Sequence, residues 1–175
     1  MIEINTDNKE ITETEVRKKY QIITETLISK NITITMMESC TSGLIASLIT
    51  DTEGSSAIIK GAYVTYSNEA KILNGVPEDV IKTYGVYSRE TASAMAEVSK
   101  EKYKADLGIG VTGSFGNIDP NNSDSVPGEV YFAIADKDET ETYHCQIPLQ
   151  NSRFGYKLFM ADLIADKLLE KIEQL

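Results

Sequence analysis

Apolar side chains recur at helical spacing near the start of the chain. Val16, Tyr20, Ile23 and Leu27 have Glu, Lys and Arg between them, which predicts an amphipathic helix. Ile32 to Met37 alternates and is β-branched, the pattern of a strand. Leu44 to Ile49 reads as a buried helix, Gly54-Ser55-Ser56 as a turn, and Ala62 to Tyr66 as a second strand. Asn68 is placed to cap a short helix running through Leu73, and Pro77 to start a turn of helix ending near Gly85. Ser88, with Glu90 in the first turn, opens a longer helix carrying Ala92, Met95, Ala96 and Tyr103. Leu107 to Thr112 is a strand of small residues, and residues 113–127 form a long polar loop of the kind that often carries function. Val130 to Ile134 and Thr140 to Ile147 read as a hairpin joined at Asp136-Lys137-Asp138. The last helix has Phe154, Leu158, Ala161, Ala165, Leu168 and Ile172 on one face. Strands alternating with helices, followed by a hairpin, predict a single α/β domain. Its mixed sheet of about five strands would carry helices on both faces in three layers.

Composition narrows the choice of partner. The 175 residues include 17 Lys and Arg against 27 Asp and Glu, a formal net charge of −10. Such a balance argues against binding a nucleic-acid backbone, which calls for a basic face. It leaves room for a local basic spot holding one small phosphate. Cys40 and Cys145 cannot make a disulfide framework or a four-ligand zinc site, and His144 is the single histidine, so no metal is expected. The start of the chain, Met1-Ile2-Glu3-Ile4-Asn5-Thr6, lacks the basic and apolar regions of a signal peptide. No apolar run approaches the roughly 20 residues of a membrane helix. The expectation is a cytoplasmic protein without a membrane partner.

Two strand-to-helix junctions carry candidate chemistry. At Glu38-Ser39-Cys40-Thr41-Ser42-Gly43, hydroxyl and thiol side chains cluster where free backbone amides point at one spot. Such a spot can hold an anion, an oxyanion or an activated nucleophile, and the same residues would serve equally as helix caps. At Tyr66-Ser67-Asn68-Glu69-Ala70-Lys71, the lysine falls in a first helical turn, where the dipole disfavours its charged form. A lysine whose neutral form is favoured can act as a general base, whereas most lysines are simply exposed. Gly108-Ile109-Gly110-Val111-Thr112-Gly113 matches a dinucleotide-binding fingerprint literally. A polar loop follows it instead of a helix, so that reading fails, and the glycines are expected to let helices pack closely on the strand. A Cys40 thiol paired with His144 remains an alternative nucleophile.

These blocks, taken in order, resemble the CinA C-terminal domain family. Glu38 to Gly43 is similar to its E-S-C-T-G-G signature, Gly54-Ser55-Ser56-Ala57 to its G-S-S-A turn, and Tyr63 to Lys71 to its F-V-T-Y-S-N-E-A-K block. Val111-Thr112-Gly113 and Gly128-Glu129-Val130 resemble its V-T-G and G-T-V elements. The resemblance runs in register from about Val16 to the C-terminus, in a stand-alone form. It implies an amidohydrolase that converts nicotinamide mononucleotide to nicotinic acid mononucleotide and ammonia without a cofactor. Ser39 would be the nucleophile, Lys71 its general base and Tyr66 a polar partner. Cys40, Thr41, Ser42 and Gly43 would bind substrate through their amides, with Thr112, Gly113 and Arg153 toward ribose and phosphate. Self-association is also implied. The chain departs from the family at Ser42, which stands where a glycine is usual. It departs again at Ser114-Phe115-Gly116-Asn117-Ile118-Asp119-Pro120, in place of a glycine-rich loop. The altered loop keeps open a non-catalytic nucleotide-binding role, or a different nucleotide-like amide as substrate.

Overall fold

The computed structural model describes residues 1–6, 10–123 and 125–175; Asp124, inside the predicted polar loop, lies outside them. The strands are β1 (Ile2–Glu3), β2 (Ile34–Glu38), β3 (Ile59–Val64), β4 (Leu107–Gly113), β5 (Glu129–Ala135) and β6 (Thr140–Gln146). The helices are α1 (Glu13–Lys30), α2 (Leu44–Thr50), α3 (Asn68–Leu73), α4 (Glu78–Tyr84), α5 (Arg89–Tyr103) and α6 (Arg153–Glu173). One mixed sheet runs in the order β1-β6-β5-β4-β2-β3. β2 pairs in parallel with both β3 and β4, and the β4-β5-β6 segment is antiparallel. The five strands legible in the alternation are all present. A sixth, β1, adds two residues beside Tyr143 and His144 and is too short to show a period.

Alternation along the central strands sorts their side chains onto two faces. Ile34, Met36, Ile109, Val111, Phe132 and Ile134 join residues of α1, α2 and α6 in the main core. Met37 meets Met95 of α5, and Ala133 and Ala135 meet Ala92 and Ala96. Close approach of α5 requires glycine on β4, because a Cβ at Gly110 would strike the carbonyl oxygen of Ala92 and one at Gly108 that of Ala96. The literal dinucleotide fingerprint is thus a packing device, and β4 leads into a loop, as its sequence context implied.

Caps and turns fall close to the predicted positions. Ser88 caps α5 by accepting from the Thr91 amide, and Ser152 caps α6 by accepting from the Gly155 amide. The cap of α3 is Ser67 and not Asn68: Ser67 keeps extended backbone and its Oγ accepts from the Ala70 amide at 3.1 Å. The β5-β6 turn closes through Asp136, whose Oδ1 accepts from the amides of Asp138 and Glu139. No helix among the described residues is long and apolar enough to cross a membrane. The carboxyl ends of the parallel strands β2, β3 and β4 lie side by side, and the loops leaving them build a cleft.

Candidate active site

Strand β2 ends at Glu38, and the chain turns sharply into α2 over five residues. The Ser39 amide still donates to Val111 on the neighbouring strand at 3.1 Å, and the Ser39 carbonyl accepts from the Ser42 amide at 3.1 Å. Ser42 and Gly43 then take φ angles of 52° and 88°, in the left-handed region. That conformation favours glycine, which explains why the resembling family places glycine at position 42. Here Ser42 adopts it, with its Oγ bonded back to the Ser39 carbonyl at 3.3 Å. The tight turn lifts Ser39 to the rim of the sheet while keeping it 6% exposed.

Lys71 reaches the same point from α3. Its Nζ donates to Ser39 Oγ at 3.1 Å and to the Thr65 carbonyl at 2.9 Å. Thr65 is itself pinned, its amide donating to the Glu38 carbonyl at 2.8 Å. Lys71 is 1% exposed, and burial pulls its pKa down from 10.5 to about 8, against opposing pulls from Cys40 and Asp119. Lys71 falls in the last turn of the short α3 and not in a first turn, so burial and not the helix dipole supplies the perturbation. The Cys40 thiol beside it is pushed up to about 12 by its own burial, so it stays protonated near neutrality.

A cleft of about 860 Å³ opens over Ser39, within the roughly 300–1,000 Å³ of ligand pockets. Ser39, Cys40, Tyr66, Gly113 and Arg153 line it together. Tyr66 stands at the mouth, 61% exposed, and its hydroxyl accepts from Arg153 Nη2 at 3.2 Å, which ties it to Arg153 rather than to the Ser39–Lys71 pair. Arg153 begins α6 with its guanidinium 5.9 Å from the Phe115 ring, which stacks in turn on Tyr156. Thr41, Ser42 and Gly43 lie behind the cleft. Thr112 does too, fully buried, its hydroxyl donating to the Val86 carbonyl at 2.9 Å.

The polar loop after β4 forms the opposite wall. Its inner hydroxyls make a chain: Asp119 amide to Ser125 Oγ, Ser125 Oγ to Ser114 Oγ, and Ser114 Oγ to the Asn117 carbonyl, each at 2.7–2.8 Å. Asp119 accepts from the Tyr87 hydroxyl and from Asn122 Nδ2, both at 2.6 Å, and these bonds hold its carboxyl below the usual range. Asn68 ties the loop to α3 by donating to Asn122 Oδ1 at 2.8 Å. Asp119, Phe115, Tyr87 and Asn68 also line the cleft, though none of them was singled out as a site residue from the sequence. The altered loop signalled Phe115 and Asp119, the Tyr66–Lys71 block contained Asn68, and no sequence signal marked Tyr87. Glu38 stood in the quoted signature, yet nothing in its neighbours revealed where its side chain goes.

The CinA C-terminal domain model matches residues 16–161. A putative competence-damage inducible protein of Halothermothrix orenii is 43% identical over 120 residues, covering 67% of this chain and 29% of that protein. A CinA-like protein of Leptospira borgpetersenii serovar Hardjo-bovis is 41% identical over 130 residues, 73% of this chain and 31% of that one. The chain thus spans about a third of the length of the curated relatives it matches. Among solved structures, a CinA superfamily protein from Klebsiella pneumoniae superposes with a TM-score of 0.82 at 20% identity, covering 91% of this chain and 99% of the other. The competence/damage inducible protein CihA from Agrobacterium tumefaciens gives 0.82 at 24%, with 93% and 98% covered. At those identities the likeness establishes the fold, and the family model establishes membership: this chain belongs to the CinA C-terminal domain family.

Proposed function

We propose that this chain is a Ser–Lys amidohydrolase that converts nicotinamide mononucleotide to nicotinic acid mononucleotide and ammonia. The observation that carries the reading is the contact between Ser39 Oγ and the buried Lys71 Nζ at 3.1 Å. A lysine with a pKa of about 8 is neutral in roughly a tenth of molecules at pH 7, enough to serve as a base. The Thr65 carbonyl holds Nζ from one side, so its lone pair can face the serine hydroxyl once the amine is neutral.

In the first step Lys71 takes the Ser39 proton while Oγ attacks the carboxamide carbon. The pyridinium ring withdraws electrons and makes that carbon more electrophilic. Cys40 lines the cleft beside Ser39, and its amide would serve the tetrahedral oxygen. Collapse of the intermediate breaks the C–N bond, and protonated Lys71 gives its proton to the departing nitrogen, which leaves as ammonia. Water, deprotonated by neutral Lys71, then cleaves the ester on Ser39 and releases the acid.

Arg153 is the cation lining the far side of the cleft and suits the substrate phosphate, since a guanidinium can make two parallel bonds to it. Tyr66, bonded to Arg153, would orient that group and close the mouth over the ring. The reading is tested by incubating the protein with the nucleotide and separating the products. Equal yields of ammonia and nicotinic acid mononucleotide support it. Free nicotinamide, or tight binding with no turnover, contradicts it.

A further inference from the structure

Glu38 is the residue immediately before the proposed nucleophile, and it is fully buried. Alternation along β2 sends its side chain to the same face as Ile34 and Met36, under α2. There its carboxylate accepts backbone hydrogen bonds. Oε2 takes the amides of Gly43 at 2.9 Å and Ile45 at 3.2 Å, and Oε1 takes that of Ala46 at 2.9 Å. The cap position of α2 is Gly43, which has no side chain to cap with. Glu38 therefore satisfies from the strand the orphan amides that a cap residue would normally take.

The positive end of α2 is thus already filled by a carboxylate of the chain itself. A substrate phosphate cannot use it, unlike the open helix ends that bind anions. The turn from Ser39 to Ser42 is also clamped at both ends. Val111 holds the Ser39 amide, and Glu38 holds the helix into which the turn runs. The amides of Gly43, Ile45 and Ala46 are spent on Glu38, and those of Ser42 and Leu44 on carbonyls of the turn.

We infer that Glu38 is a positioning residue for the reaction. Its carboxylate fixes Ser39 against Lys71 and bars anionic groups from the end of α2. The inference rests on Ser39 being the nucleophile, as proposed above. It predicts that the ionised carboxylate is required for Ser39 to react. Burial raises the Glu38 carboxyl above 4.5, against the lowering effect of its bonds from the three amides. The titratable groups that feel its charge are Tyr20 on α1 and Cys40 in the turn; burial pushes both upward, so neither ionises on the acid side.

The test measures labelling of Ser39 by a fluorophosphonate, alongside ammonia release. In labelling, Oγ forms a bond to phosphorus, the P–F bond breaks, fluoride leaves and Lys71 takes the proton. Wild type is expected to show two ionisations in its labelling rate, one of Lys71 at about 8 and one of Glu38, which burial raises above 4.5. Glu38→Gln, with unchanged circular dichroism, is expected to label at least tenfold more slowly and to lose the acid ionisation. Its kcat should fall at least tenfold with KM within about twofold. Labelling of Glu38→Gln within twofold of wild type overturns the inference. If that variant does not fold, the wild-type profile decides, and a single ionisation overturns it. Wild type that takes the label but releases no ammonia removes the substrate reading and leaves this inference standing. Wild type that is never labelled at Ser39 overturns both.

Discussion

Lys71 Nζ sits 3.1 Å from Ser39 Oγ, although the two residues leave different strands of the sheet and are 32 positions apart in the chain. Their meeting depends on the parallel pairing of β2 with β3, which sets Glu38 beside Val64 and brings both strand-to-helix junctions to one edge. The pair is buried, so its chemistry runs where water does not compete for the proton.

Replacing Lys71 by methionine is expected to lower kcat about 10²- to 10⁴-fold, the usual worth of a general base, with little change in KM. The same variant should melt no lower than wild type at pH 7. A lysine whose pKa falls from 10.5 to about 8 on folding binds its proton more weakly in the folded chain. Its buried ammonium therefore costs stability at pH 7, and that cost is relieved as pH rises between about 8 and 10.5. Steady-state kinetics and a melting curve on one preparation check both. A large fall in melting temperature would assign Lys71 a structural role instead.

The rate should rise with pH through about 8, as Lys71 loses its proton. Asp119 opposes the fall in the Lys71 pKa, so Asp119→Asn should move this limb to lower pH by a fraction of a unit. The shift is small because Asp119 faces an open cleft, where solvent screens it. Profiles of kcat/KM for the two proteins decide the sign. A shift to higher pH would contradict the electrostatic account of the site.

Arg153→Ala should raise KM for the nucleotide roughly 10- to 100-fold, the worth of a charge-assisted contact, and leave kcat nearly unchanged. Kinetics on the nucleoside, which has no phosphate, should show no such difference. An equal loss on both substrates would place Arg153 at the reacting end of the cleft.

Cys40→Ala should keep activity within a few-fold of wild type. The thiol lines the cleft beside Ser39, but burial pushes its pKa to about 12 and leaves little thiolate to attack. Complete loss, with the fold intact by circular dichroism, would favour the thiol mechanism over the serine one.

The helices and the five longer strands were legible because each carries a period the core enforces: four-residue steps on α6, alternation on β2, glycines under α5 on β4. The two junctions were legible because small hydroxyl residues and a lysine collect where strands end. What lay beyond reach was the direction of individual polar groups. Glu38 looks in sequence like part of a nucleophile motif, yet it turns into the core and caps α2. Thr112 stands where a ligand contact is plausible, but the alternation of β4 sends its hydroxyl to Val86. Asp119 is one of several polar residues in a loop with no period, and only the hydrogen bonds to Tyr87 and Asn122 distinguish it. The cause of the Lys71 perturbation was also hidden, since depth of burial belongs to the folded chain.

The most direct test compares wild type with Ser39→Ala for ammonia released from nicotinamide mononucleotide, at equal protein concentration near pH 8. Wild type is expected to release ammonia steadily, matched by nicotinic acid mononucleotide, and the variant none above the buffer rate. Undiminished release from Ser39→Ala, or no release from correctly folded wild type, would contradict the proposed function.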